Sequence, residues 1–576
     1  MVFQLKLSDN LKRVIQLLLI YVWVSSLIQT DSYINVYILV AIVAGVAVFK
    51  YSAASCELNK TSFGVFLVCA FMLSAAVSVA NYKLYADFGI FNWIFGVVAF
   101  IGGVVAFWNC MLMLYSFPKD KATAWCEIDD RFHAAAIFGV FFALSVIINL
   151  GYLFSSQYPA VGCNDAIVQL IQIRDGVYTN HHPYWHTMVI KLCLDFAYLL
   201  GKDINVGVAI YSVWQIILVG SCFAYAITTL YQAGFSRSIV LVAAAFFLLA
   251  PYNISYSATM WKDTPFGVIT LLFLVAAYRV LYRVGKNQLM NYILLFLGAL
   301  GFGLWRSNGW LALFAAFIVF IPFFFRSNKK FLIVIGIAIL VSWGMKGPYL
   351  ESIGVNQPDL VESLSIPVQQ VARTICEDGN ITEEEYEALD IIMDVDEVPN
   401  LYLDYLSDPI KNEIRRKNQP YFEDNAVEYL KIWINIGIRN PGSYIRGWID
   451  QTKGYWNGGY LFWITTLGMP ENSLGVKDYD LHNPVQYLYY RFVIDSQEVP
   501  CLYPLFSIGL YTWIMVMMFV CSALKKRKIS LLCLPIIMMI GTLMVATPVA
   551  YEFRYAYGMF TAMPFLFPLV VMSDQQ

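Results

Sequence analysis

The sequence predicts an all-α polytopic membrane protein, with about 14 transmembrane helices and a small, mostly helical domain outside the bilayer. Three observations carry this. Hydrophobic residues fill 59% of the 576 positions and charged residues 14%, against about 25% charged in ordinary soluble chains. Apolar runs of roughly 20 residues, the length that spans a bilayer as a helix, recur along the chain. Lys and Arg in the short connections fall on alternate loops, as the positive-inside bias requires. The same composition excludes a disordered chain, and a net charge of -2 offers no bulk basic surface for nucleic acid.

In chain order, the runs predict spans near 13–30, 33–50, 62–81, 88–115, 133–153, 205–231, 237–256, 264–284, 290–305, 309–325, 330–346, 502–524, 529–548 and 555–572. The first run is too long for a cleaved leader and lacks a small-residue cleavage site, so it reads as a span. Lys6, Lys12 and Arg13 lie at its N-terminal end. With these inside, Lys50, Lys119, Arg131, Arg283, Arg326 and the Lys525–Lys528 cluster also fall on the cytoplasmic side. Both termini are then expected in the cytoplasm of a multi-pass cell-membrane protein.

Two segments are too polar to span, and both fall outside: a first loop at 154–204 and a domain at 347–501. The expected organisation is therefore four segments. Residues 1–130 are N-terminal accessory helices, and 131–346 a transmembrane core with the first outer loop. Residues 347–501 are the extracytoplasmic domain and 502–576 the closing helices. The domain carries dense charge, including Glu383–Glu385, and helix-like stretches at 402–417 and 422–438. Most of the 11 cysteines lie in apolar runs and read as small buried hydrophobes. Cys163, Cys376 and Cys501 fall outside, where a disulfide would be feasible.

Chemistry-bearing residues gather at the outer corners. The first loop opens an amphipathic stretch with Asp165, whose Ile167, Leu170 and Ile171 would lie on the membrane surface. It then delivers His181, His182 and His186, side chains that bind anions, relay protons or ligate metals, or simply sit solvated. The next outer corner holds Lys262 and Asp263 at the mouth of a span. These would serve as a snorkelling anchor and a helix cap, or as a cation and a carboxylate within reach of Asp165. Arg306 occupies a third corner, where an Arg is costly unless it meets an anion or a polar cavity. Glu552 and Arg554 come to a fourth. A guanidinium matches a lipid phosphate bidentately. A carboxylate can deprotonate an acceptor hydroxyl while cations stabilise a leaving phosphate. The cytoplasmic corners show only scattered basic residues.

The order of these elements resembles the GT-C superfamily of integral-membrane glycosyltransferases, which includes protein O-mannosyltransferases and the lipid A aminoarabinose transferase. Asp165 matches the first-loop acid proposed there as catalytic base, and His182-Pro183-Tyr184-Trp185 partly matches the family's His-Pro element. Asp263 matches the later acidic corner, and Arg554-Tyr555 the Arg-Tyr near the final span. Arg306-Ser307-Asn308-Gly309-Trp310 and Pro367-Val368-Gln369-Gln370 look closer to a little-characterised bacterial branch.

The resemblance implies inverting transfer of a sugar from a polyprenyl-phosphate donor to a glycan, lipid or protein acceptor. It implies Asp165, Asp263 and His182 as catalytic residues, and Lys262, Arg306, Arg554 and His181 on the donor phosphate. Tyr184, Trp185 and Tyr555 are then the expected acceptor or sugar contacts. Some relatives need a divalent metal. No metal is expected here, because Asn164 stands before Asp165 where many relatives pair two acids. Two other functions share the same outline: a polymerase or ligase of lipid-linked polysaccharide, and a transporter or flippase. Transporters place their polar sites near the bilayer midplane, commonly with repeats, and no clear repeat is visible.

Overall fold

A computed structural model describes residues 8–27, 34–51, 58–85, 90–118, 130–460, 467–479 and 483–573. Among these, regular structure is helical, and only four isolated β-bridges occur. Among the described residues, ten helices are long and apolar enough to cross a membrane, or up to 12 if each of two bent pairs forms one span. The protein is therefore a polytopic helical membrane protein.

The differences from the expected count have local causes. The predicted span at 237–256 is bent by 49° between Arg237–Leu249 and Pro251–Ser257. Pro251 lacks an amide proton and pushes Ala250 into an extended conformation (φ -63°, ψ 121°). The run at 502–524 is likewise a short Pro500–Phe506 turn bent by 57° against Ile508–Leu524. The run at 290–305 is the 17-residue helix Gln288–Leu304, and the first run is Asp9–Leu27, with Lys12 and Arg13 near its start.

Asp263–Leu281 forms the hub of the core, nearly all of it buried. It packs against Gln288–Leu304, Phe553–Phe567 and Ile204–Gln232. Its approach to Gln288–Leu304 requires glycine, since a Cβ on Gly298 would stand 2.7 Å from the Phe273 Cα. The helices Asp9–Leu27, Ile34–Tyr51, Lys60–Ala80 and Ile90–Tyr115 pack on one another and meet the rest at Ile508–Leu524, Pro500–Phe506 and Pro441–Trp456. Trp23, Tyr37, Phe107 and Trp513 make the join, with ring centroids 5.1–6.4 Å apart.

The segment at 347–501 divides in two. Residues from Val361 to Tyr444 share an apolar core of their own. Beyond it the chain returns to the spans: Val476 packs with Ala160, Ile190 and Val208, and Val493 with Tyr152 and Ile254. The expected helix at 402–417 begins only at Asp408, after a turn closed by Leu406. It runs to Asp424, kinked at Asn418 ahead of Pro420. The helical unit sits on one end of the bundle. Ser407 N donates to Pro548 O (3.0 Å), Gln451 Nε2 to Thr547 O (3.0 Å) and Trp448 Nε1 to Met544 O (2.8 Å). Cys163, Cys376 and Cys501 are all free thiols.

Candidate functional site

The four corners singled out above meet beneath the helical unit. The first loop is tied to the second corner by a short parallel bridge. Val161 N donates to Ala258 O and Met260 N to Val161 O, both at 2.9 Å. Gln215 holds the same corner from below, its Nε2 donating to the carbonyls of Tyr256, Ser257 and Thr259 at 2.9–3.0 Å. Tyr211 Oη donates to Gln215 Oε1 (2.9 Å), and His186 Nε2 lies 2.6 Å from Tyr211 Oη. His186 is fully buried in this chain and does not reach the cavity; it braces the corner that carries Lys262.

Asp165 lies in the first turn of the helix Asn164–Asp175, where it makes no capping bond; the cap position is Cys163. Ala166 and Leu170 bury one side of that helix against Tyr184–Leu199, while Ile167 and Ile171 are only half-buried and Val168 is exposed. Asp165 Oδ2 accepts from Arg554 Nη1 at 3.0 Å and from Lys262 Nζ at 3.5 Å, with His182 Nδ1 3.9 Å away. Burial alone would raise this carboxyl, but Lys262 and Arg554 outweigh it and hold it well below the usual carboxylate range. Burial, and then the Lys262 ammonium, push the His182 imidazole far down. His182 is thus neutral, and its Nδ1 accepts from Lys262 Nζ at 3.1 Å.

Asp263 does not cap its helix. Lys262 holds the cap position without a side-chain bond, and Asp263 is the first helical residue, fully buried. Its Oδ1 accepts from Arg306 Nη1, and its Oδ2 stands 4.0 Å from Arg554 Nη1. Arg306 also donates from Nε to Asn308 Oδ1 (3.3 Å) and lies over the Tyr555 ring at 4.4 Å. Lys346 Nζ donates to the carbonyl of Arg306 at 3.0 Å and fixes the turn. Arg554 lies over Trp261 at 5.1 Å, and its Nε is 3.5 Å from Glu552 Oε1. Burial pushes the Glu552 carboxyl up to about 7.

Asp165, His181, His182, Lys262, Arg306, Arg554 and Tyr555 all line one cavity of about 450 Å³. Asp263 stands behind Arg306. Tyr184 and Trp185 lie elsewhere, at the start of Tyr184–Leu199, where Trp185 stacks on Tyr349 at 5.7 Å. The roof comes from the helical unit: Glu362, Asp408, Asn412 and Arg415. No sequence spacing pointed to these four. They are charged residues on a charged domain, and only the folding of that domain over the corners selects them. Among the described residues, no three His, Cys, Asp or Glu side chains converge as ligands, and the Asp165 oxygen is already taken by two cations. The donor set therefore does not fit a divalent metal.

Fold and site together define a polytopic membrane protein with an ionic cavity where its helix ends meet a small helical unit. The chain belongs to a family of unknown function, DUF6020, which it matches over residues 170–576. The match begins inside the Asn164–Asp175 helix and takes in every site residue named above except Asp165. No curated protein matches the chain, and no solved structure does.

Proposed function

We propose that the protein is a membrane glycosyltransferase that moves a sugar from a polyprenyl-phosphate donor to an acceptor hydroxyl at the outer face of the membrane. One observation carries the reading. Asp165, a carboxylate, shares a cavity with Lys262, Arg306 and Arg554 at the ends of apolar helices, where a lipid phosphate would emerge. Arg306, Arg554 and Lys262 bind the donor phosphate. Asp165 takes the proton of the acceptor hydroxyl, and the hydroxyl oxygen bonds to the anomeric carbon. The bond from that carbon to the phosphate oxygen breaks, and the electron pair leaves with polyprenyl phosphate.

Asp165 is too acidic to act as a base while Arg554 and Lys262 hold it. The donor phosphate competes for both cations, and their transfer to it returns Asp165 toward an ordinary carboxylate. Donor binding thus arms the base. The test is turnover of a radiolabelled polyprenyl-phosphate sugar by the purified protein in nanodiscs, with a membrane extract supplying acceptors. Labelled product formed by the wild type and lost in Asp165→Asn supports the reading, since Asn keeps the shape and cannot take the proton. Product formed equally by both removes Asp165 from the chemistry.

A further inference from the structure

The helical unit holds a second cavity, unlike the first. It is an open groove of about 330 Å³ among the helices Ser365–Cys376, Glu383–Ile392, Asp408–Asp424 and Ala426–Arg439. Its walls are carbon: Leu364, Val368, Val371, Leu389, Ile414 and Leu430 among others. The two polar side-chain groups on its lining are already spent. Tyr429 Oη donates to Ala388 O at 2.8 Å, and Trp433 Nε1 to Gln370 Oε1 at 3.0 Å. An occupant therefore gains nothing from polar atoms here, and the site suits a hydrocarbon chain. The rim is apolar and open to solvent, with Val427 69%, Leu430 53% and Leu360 40% exposed.

The groove and the ionic cavity are the two faces of one wall. In the Leu360–Leu364 turn, Leu360 and Leu364 face the groove while Glu362 and Ser363 face the cavity. In Asp408–Asp424, Ile414 faces the groove while Asn412 and Arg415 face the cavity. Glu362 closes the wall through Lys411 (3.1 Å) and Arg415 (2.7 Å). A hydrocarbon site thus stands one turn of chain from an ionic one, the spacing of a molecule with a tail and a polar head.

We propose that the groove holds the hydrocarbon tail of a lipid acceptor, whose hydroxyl-bearing head passes over the Leu360–Leu364 turn into the ionic cavity. The word acceptor rests on the glycosyl-transfer reading; the tail site does not. The test uses the full-length protein in nanodiscs and a long-chain alkyl glycoside with a diazirine near its chain end. Illumination should label peptides from Glu383–Ile392 and Ala426–Arg439. Unlabelled long-chain glycoside should compete, and a short-chain one should not. Leu430→Asp puts a carboxylate on an already exposed rim position, so the fold tolerates it, and it should cut groove labelling roughly tenfold.

Labelling confined to the membrane spans would overturn the proposal, as would labelling unchanged in Leu430→Asp. Adducts on the outward Ile434 and Ile438 alone would mean contact with the bilayer surface, and cross-links between two copies would mean a dimer; either also overturns it. The labelling needs no donor. Groove labelling without any sugar transfer keeps the tail site and sinks the transferase reading. Sugar transfer without groove labelling does the reverse.

Discussion

The Asp263–Arg306 pair gives the sharpest energetic prediction. Asp263 is fully buried and the Arg306 side chain is 10% exposed, so neither can fall back on water. Arg306→Leu strands a buried carboxylate, which costs roughly 3–5 kcal/mol. Arg554 cannot replace the lost partner, because its Nη1 is 4.0 Å from the other Asp263 oxygen and makes no hydrogen bond to it. Asp263→Asn is milder. Arg306 keeps Asn308 and the Tyr555 ring, so a loss of about 1–3 kcal/mol is expected. The double variant has no stranded charge and should be no worse than Arg306→Leu alone, giving a coupling of about 1–3 kcal/mol. Equilibrium unfolding in mixed micelles measures all four corners of the cycle. Additive losses, within about 0.5 kcal/mol, would show that the two residues do not pair in the folded protein.

The other predictions concern the cavity. Glu552 has its carboxyl raised from 4.5 to about 7, so between those values the folded state binds a proton that the unfolded chain does not. Stability from this group is full below pH 4.5 and falls by about 3 kcal/mol as pH rises through 7. Glu552→Gln should remove that slope in melts across this range, and parallel curves for the two proteins would contradict the buried placement. Arg554→Ala should weaken polyprenyl-phosphate binding by roughly 10- to 150-fold, the worth of one charge-assisted contact, measured by fluorescence titration in nanodiscs. If neither it nor Arg306→Ala changes binding, the phosphate site is misplaced. Asp165→Asn should lower turnover by roughly 10²–10⁴-fold while binding of the donor is kept.

Much of this site was legible in the sequence because membrane insertion limits where charge can go. A charged residue at an outer corner between apolar runs needs a partner, so the sequence alone singles out Asp165, Lys262, Asp263, Arg306 and Arg554. What the sequence could not convey was who pairs with whom. Asp263 looked like a helix cap, yet it is the buried partner of Arg306, a contact across 43 positions. His186 looked like a third member of a histidine cluster, yet the turn of Tyr184–Leu199 carries it inward onto Gln169 and Tyr211. The helix after Asp165 buries Ala166 and Leu170 against protein and leaves Ile167 and Ile171 half-buried, a division that periodicity alone does not convey. Glu362 and Arg415 carry no signal at all, since their place in the cavity depends on how a separate helical unit docks.

The most direct test is an experimental structure of the protein with a bound polyprenyl phosphate in nanodiscs. The phosphate is expected within hydrogen-bond distance of Arg554 and Arg306, with Asp165 released from Arg554 and open to the cavity. A phosphate bound elsewhere, with the Arg554–Asp165 contact intact, would contradict it.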